Sequence, residues 1–190
     1  LVIHEGETLK GTWSANIALI QDGGKVSPGN SPGIQNVGAY TLLSGDLEME
    51  IAADALPGGP GVAYDQLQVT GMATLGGTGR LIIKLLGGYV PAVGQVFPLI
   101  TWGSASGEFA NYLGTAAIGN DRAFVVNYSG SGLTVTVAAT PNSYDLVKAD
   151  AEGVINQLGN MGAKLDDAGD FAESLPFIGE NVGDLVATVS

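Results

Sequence analysis

The sequence predicts a mainly β protein wound as a coil, and three observations carry that expectation. Ser27-Pro28-Gly29-Asn30-Ser31-Pro32-Gly33 holds two Ser-Pro-Gly turns, and a helix passes through neither. Proline lacks the amide donor, and glycine loses the most backbone entropy on ordering. Apolar and polar residues then alternate with a period of two almost everywhere before residue 140. Glycine, at 30 residues, punctuates nearly every boundary without a G-X-Y period, which excludes collagen. Few Asn-Gly hairpin signals are present, so short strands turning at Gly-rich corners suit a coil wound in one direction. A Greek-key β-sandwich is the alternative, because its strands alternate too.

The elements follow in order. Leu1-Val2-Ile3 reads as the middle of a strand, so the chain is expected to be a piece of something longer. Tyr40-Thr41-Leu42 is a strand, and so is the stretch in which Asp46, Glu48 and Glu50 alternate with Leu47, Met49 and Ile51. Gln66 and Gln68 alternate with Leu67 and Val69, and Arg80, Ile82 and Lys84 with Leu81, Ile83 and Leu85. Tyr89 falls in a Gly-Gly-Tyr-Val-Pro turn. Val96, Pro98 and Ile100 then alternate with Phe97, Leu99 and Thr101, and Leu133-Thr134-Val135-Thr136-Val137 closes the series. No strict hexapeptide or nonapeptide register runs through these strands, so the repeat is loose.

Composition narrows the function classes. A net charge of −12 with only seven basic residues leaves no patch for a phosphate backbone, which argues against nucleic acid. The absence of cysteine excludes disulfides, thiolate metal sites and cysteine nucleophiles. No apolar run reaches the ~18 residues of a membrane span, so no membrane insertion is expected. The acidity is uneven: residues 143–190 hold nine acids against two lysines, and residues 1–142 hold ten against five bases.

Candidate chemistry is sparse. The carboxylate stripe Asp46, Glu48, Glu50 and the bases Arg80 and Lys84 are the best material for a glycan-cleaving site. Each stripe sits on the outward phase of an alternating strand, where a solvated polar face is the expectation. His4 is the only histidine and has no evident carboxylate partner for a triad. Asp166, Asp167 and Asp170, or Asn120-Asp121, offer oxygens for calcium but lack the loop spacing of a calcium hand, so no metal or cofactor is assigned. Trp13, Trp102, Tyr89, Tyr112 and Tyr128 are expected to pack in the core or at corners rather than to form a sugar-stacking platform.

Several segments recur in a known order. They are the Ser-Pro-Gly pair, Gly38-Ala39-Tyr40-Thr41-Leu42, Tyr64-Asp65-Gln66-Leu67-Gln68-Val69-Thr70-Gly71, Leu75-Gly76-Gly77, Gly87-Gly88-Tyr89-Val90-Pro91, Gly94-Gln95-Val96-Phe97-Pro98-Leu99 and Ser106-Gly107-Glu108-Phe109. In that order they resemble the closing part of the passenger β-helix of bacterial autotransporters and similar giant surface adhesins, over about residues 23–137. The resemblance implies a right-handed parallel β-helix, extracellular at the bacterial cell surface and without catalytic residues. After residue 140 the pattern departs from autotransporters, because an acidic segment follows in place of an outer-membrane barrel.

That segment is expected to be a helical tail. Pro141-Asn142-Ser143 supplies a stop and an N-cap, and Asp145 suits the positive end of the helix dipole. Leu146, Val147, Ala151, Val154, Ile155, Leu158, Met161 and Leu165 recur at three- and four-residue intervals, with Phe171 and Phe177 in a second apolar set. Gly153, Gly159 and Gly162 each weaken the helix by roughly 1 kcal/mol, so it requires packing. The expected organisation is a β-helix over 1–139 and a cap, linker or docking segment over 140–190. The expected function is a non-enzymatic module of an extracellular surface protein or fibre, partnered by neighbouring modules or copies of itself. A glycan-binding module and a polysaccharide lyase or hydrolase are the rivals.

Overall fold

The computed structural model describes residues 1–119 and 121–140. In chain order the elements are β1 (Val2–His4), β2 (Thr8–Gly11), β3 (Trp13–Pro28), β4 (Ile34–Ile51), a single helical turn α1 (Ala55–Gly58), β5 (Gln66–Leu75), β6 (Arg80–Leu85), β7 (Val96–Ser106), β8 (Asn111–Leu113), β9 (Arg122–Ser129) and β10 (Gly132–Ala139). The ten strands form one sheet, which is not closed into a barrel. The chain is mainly β, as its alternation predicts.

Pairing among these strands is almost entirely parallel. Strands β1 and β2 both pair with β3, and β3 with β4. Strand β4 pairs with β5 and β6, which pair onward with β7 and β8. Antiparallel ladders involve only β10, which lies between β7 and β9. Parallel neighbours cannot be joined by a two-residue hairpin and need a long crossover, which is why Asn-Gly turns are scarce. Side-chain bonds across adjacent strands span 32 to 34 residues in Asn36–Gln68, Gln66–Pro98 and Asp46–Arg80, but only 23 in Lys25–Glu48 and 22 in Asp22–Ser44. That spacing is too long for any short-motif register.

Two expectations about the strands change. Strand β4 is 18 residues long, and the two strands read at 40–42 and 47–51 are its limbs. Gly45, at φ 97°, bends the chain between them without ending the strand. Leu99 and Ile100 are both fully buried and Thr101 is not, so the predicted alternation slips by one residue within this strand. The cause is a register shift: Leu133 faces Ile100 and Thr134 faces Pro98, which leaves Leu99 as an extra residue that flips the alternation.

The core is a set of in-register ladders. Val26, Leu47 and Leu81 face one another on β3, β4 and β6, and all are fully buried. Val37, Val69 and Trp102 face one another on β4, β5 and β7, and all are buried. Beside this second ladder the register shifts between Ala15 and Ala18, Val37 and Tyr40, and Val69 and Met72 fall on neighbouring strands. Gly38, Gly71 and Gly103 occupy that column. A Cβ on Gly71 would stand 2.6 Å from the Gly38 carbonyl oxygen, and one on Gly103 would stand 2.7 Å from that of Thr70. The bare backbone therefore lets the bends of successive strands nest.

No helix among the described residues is long and apolar enough to cross a membrane. The predicted helical tail, with Leu146, Val147, Val154, Ile155, Leu158, Met161, Leu165, Phe171 and Phe177 as its self-association face, lies outside the described residues.

Candidate functional site

The charged residues singled out in the sequence do converge. Parallel register places Lys25, Asp46 and Arg80 across β3, β4 and β6. Arg80 donates from Nε to Asp46 Oδ1 at 2.7 Å and from a terminal nitrogen to Oδ2 at 3.0 Å. Glu48 Oε2 meets Lys25 Nζ at 3.1 Å and Lys84 Nζ at 2.7 Å. Burial works to raise the Glu48 pKa, but hydrogen bonds from Lys84 and Lys25 outweigh it and hold the group below the usual carboxylate range. A carboxylate flanked by two ammonium groups stays ionised, and here it ties three strands together.

Glu48 and Glu50 are only 6% and 8% exposed, so the expected solvated face of β4 is covered at this end. The covering comes from both sides. Strand β6 lies along one edge, and Asp65 approaches the other, where its amide donates to the Glu50 carbonyl at 2.8 Å.

Asp65 is the functional-looking group that the charge pattern did not single out. It has no exposed surface. Its Oδ1 accepts from the Gly33 amide at 2.6 Å and its Oδ2 from the Glu50 amide at 2.8 Å. Burial pushes its pKa up to about 7, the two backbone bonds oppose that, and the neighbouring Glu50 carboxylate adds to it. Glu50 Oε2 is itself buried without a hydrogen-bond partner among the described residues. A signal did exist: Asp65 shares the odd-numbered, inward phase of Leu67 and Val69. Gln21 shares the phase of Leu19 in the same way. It is fully buried, accepting from the Tyr40 hydroxyl at 2.6 Å and donating to the carbonyls of Gly24 and Asp46.

The other candidates fall apart from this cluster. His4 is exposed at the end of β1, where its amide donates to Glu7 Oε2 at 2.8 Å. Asp121 is described, and its carbonyl accepts from the Thr140 amide. Asn120, Asp166, Asp167 and Asp170 lie outside the described residues. Among the described residues no three acidic or histidine side chains gather as a metal-binding set.

The aromatic residues pack against the core, as expected. Trp102 is 6% exposed, stacks on Tyr128 with centroids 6.2 Å apart, and donates from Nε1 to the Ser129 carbonyl. The Tyr112 and Tyr128 hydroxyls meet at 2.9 Å, and Phe109 packs on Tyr112. Tyr89 hydrogen-bonds Asp54 and Gln95, pinning the loop after β6 to the one after β4. Trp13 is half-buried against the core.

Beside Trp102 lies a groove of about 360 Å³. Its polar lining is Asn36, Gln68, Thr70 and Thr101, and Gly103 and Trp102 form part of its wall. Asn36, Gln68 and Thr101 face one another in register on β4, β5 and β7. The Asn36 amide donates to Gln68 Oε1 at 3.3 Å, Gln68 donates to Gln66 Oε1 at 2.7 Å, and Gln66 donates to the Pro98 carbonyl at 2.7 Å. The row is oriented and carries no formal charge.

No protein-family model matches the chain, and no curated protein is significantly similar to it.

Proposed function

We propose that the described strands are turns of a right-handed parallel β-helix, and that the chain is a structural module of an extracellular bacterial surface protein or fibre. It works through rigidity and through association with neighbouring modules or copies of itself. One observation carries this reading: the unbroken succession of parallel ladders from β1 and β2 through to β7 and β8. A Greek-key sandwich is built from antiparallel neighbours, whereas a coil wound in one direction stacks parallel ones. The resemblance of residues 23–137 to autotransporter passengers supports the surface location.

The charged residues favour scaffold over catalysis. Glu48, Asp46, Lys25, Lys84 and Arg80 are paired across strands, and both oxygens of Asp65 are bonded to backbone amides. A carboxylate engaged in this way is poorly placed to donate a proton to a glycosidic oxygen. Among the described residues β1 and β2 pair only with β3, so their outer edges offer main-chain groups to a further turn or a second copy.

Light scattering and negative-stain microscopy on the full chain, and on a version ending at Ala139, test the proposal. Elongated particles are expected, with assemblies that depend on residues 140–190 if that segment docks and persist without it if β1 and β2 do. Compact monomers that release reducing ends from a polysaccharide, and lose that activity in Glu48→Gln, would sink it.

A further inference from the structure

We infer that the groove over Asn36, Gln68 and Thr101 is a binding site for a neutral, linear oligosaccharide. The argument starts from the chemistry of the lining. Every polar side chain there is an uncharged amide or hydroxyl, so the site offers hydrogen bonds to hydroxyls and no counter-charge to an ion. The Thr101 hydroxyl has no hydrogen-bond partner among the described residues, while Asn36 and Gln68 are already oriented by each other and by Gln66. Donors and acceptors on three adjacent strands repeat at about 4.8 Å, which suits a polymer whose hydroxyls also repeat.

The wall is preorganised. Trp102 lies on the inward phase next to Thr101, fixed by its bond to Ser129 and by Tyr128, so the strand that carries Thr101 is held rigid and binding orders little that is not ordered already. The concavity comes from the glycine column, because a side chain at Gly103 has no room beside the Thr70 carbonyl. The volume lies within the usual range of ligand sites.

Two other occupants fit less well. An extended peptide binds a sheet through free main-chain groups at an edge, but β5 at the centre of the groove is paired on both sides, by β4 and β7. A sulfated or uronate polymer would approach a chain of net charge −12, and long-range repulsion opposes that encounter.

The test uses the full chain carrying Trp13→Phe, so that Trp102 is its only tryptophan. Its fluorescence is titrated with neutral gluco-, manno-, galacto- and N-acetylglucosamine oligomers, beside an oligouronate, a sulfated oligosaccharide and an unstructured neutral peptide. The expected result is a saturable change with at least one neutral oligomer. Thr101→Val, which removes the hydroxyl at nearly constant volume, should weaken that binding about tenfold, and Thr70→Arg at the exposed rim should abolish it. Circular dichroism confirms that each variant is folded, and Thr70→Arg stands alone if Thr101→Val is not. The inference is overturned if no neutral oligomer binds at millimolar concentration, if only the anionic sugars or the peptide bind, or if binding survives Thr70→Arg unchanged. Elongated particles without oligosaccharide binding would sink this inference and leave the scaffold proposal standing.

Discussion

Two backbone amides from distant stretches of chain, those of Gly33 and Glu50, end on one buried carboxylate. Asp65→Ala leaves both unpaired, at roughly 1–3 kcal/mol each, and urea unfolding should show the sum. The pH dependence has a definite sign. The folded pKa of about 7 lies above the ordinary 3.8, so the folded state holds the proton more tightly than the unfolded one. Asp65 therefore favours folding most below about pH 4, and that contribution is lost as pH rises to about 7, by up to about 4 kcal/mol. Glu48 acts in the opposite sense: its folded pKa lies below the ordinary 4.5, so its contribution is present above 4.5 and lost as pH falls. Stability against pH should peak near about pH 4–5, and Asp65→Asn should flatten the decline on the neutral side. Gly77 and Gly107 make a second residue-scale case. Their φ values are +60° and +74°, and an added Cβ would stand 1.7 Å from the Leu43 carbonyl oxygen and 1.9 Å from that of Leu75. Alanine at either site should cost more than about 2 kcal/mol. Gly76→Ala, with open space around it and no positive φ, should be close to neutral.

Among the elements, β10 has the distinctive task. It turns the sheet from parallel to antiparallel and covers the edge of β7 that would otherwise lie open. Leu133 and Val135 are fully buried and Val137 is 1% exposed, so its inward face is pure core. Val135→Asp should cost more than about 3 kcal/mol and release the β7 edge, giving aggregates in light scattering. Thr134→Asp, on the other phase, should keep the parent's light-scattering profile. Among the described residues β1 and β2 have no such partner, and Glu7 blunts their edge at the His4 amide. The alternation of β10 was legible because its inner face is covered by one uniform apolar layer. The slip of alternation within β7 is set by how that strand meets β10, at the register shift beside Leu99.

For the whole molecule, charge and stability pull apart. With net charge −12 and an isoelectric point near 4.1, self-repulsion opposes non-specific aggregation at neutral pH and vanishes near pH 4. Turbidity should therefore be greatest near pH 4.1, close to where dilute samples resist urea best. A salt titration at neutral pH should produce the same association more weakly, since screening reduces repulsion without removing the charge.

What the sequence determined by itself is the β class and the stretches that hold β1, β4, β5, β6, β7 and β10. These follow from local rules: proline and glycine stop helices, and a period of two marks one face of a strand. Only the tertiary structure decided which strands are neighbours. That choice rests on partners from about twenty to more than thirty residues apart, and connections of unequal length erase any fixed repeat. For the same reason, the convergence of Glu48 with two lysines and the alignment of Asn36, Gln68 and Thr101 exist only in the folded chain, where adjacent strands bring distant residues into register.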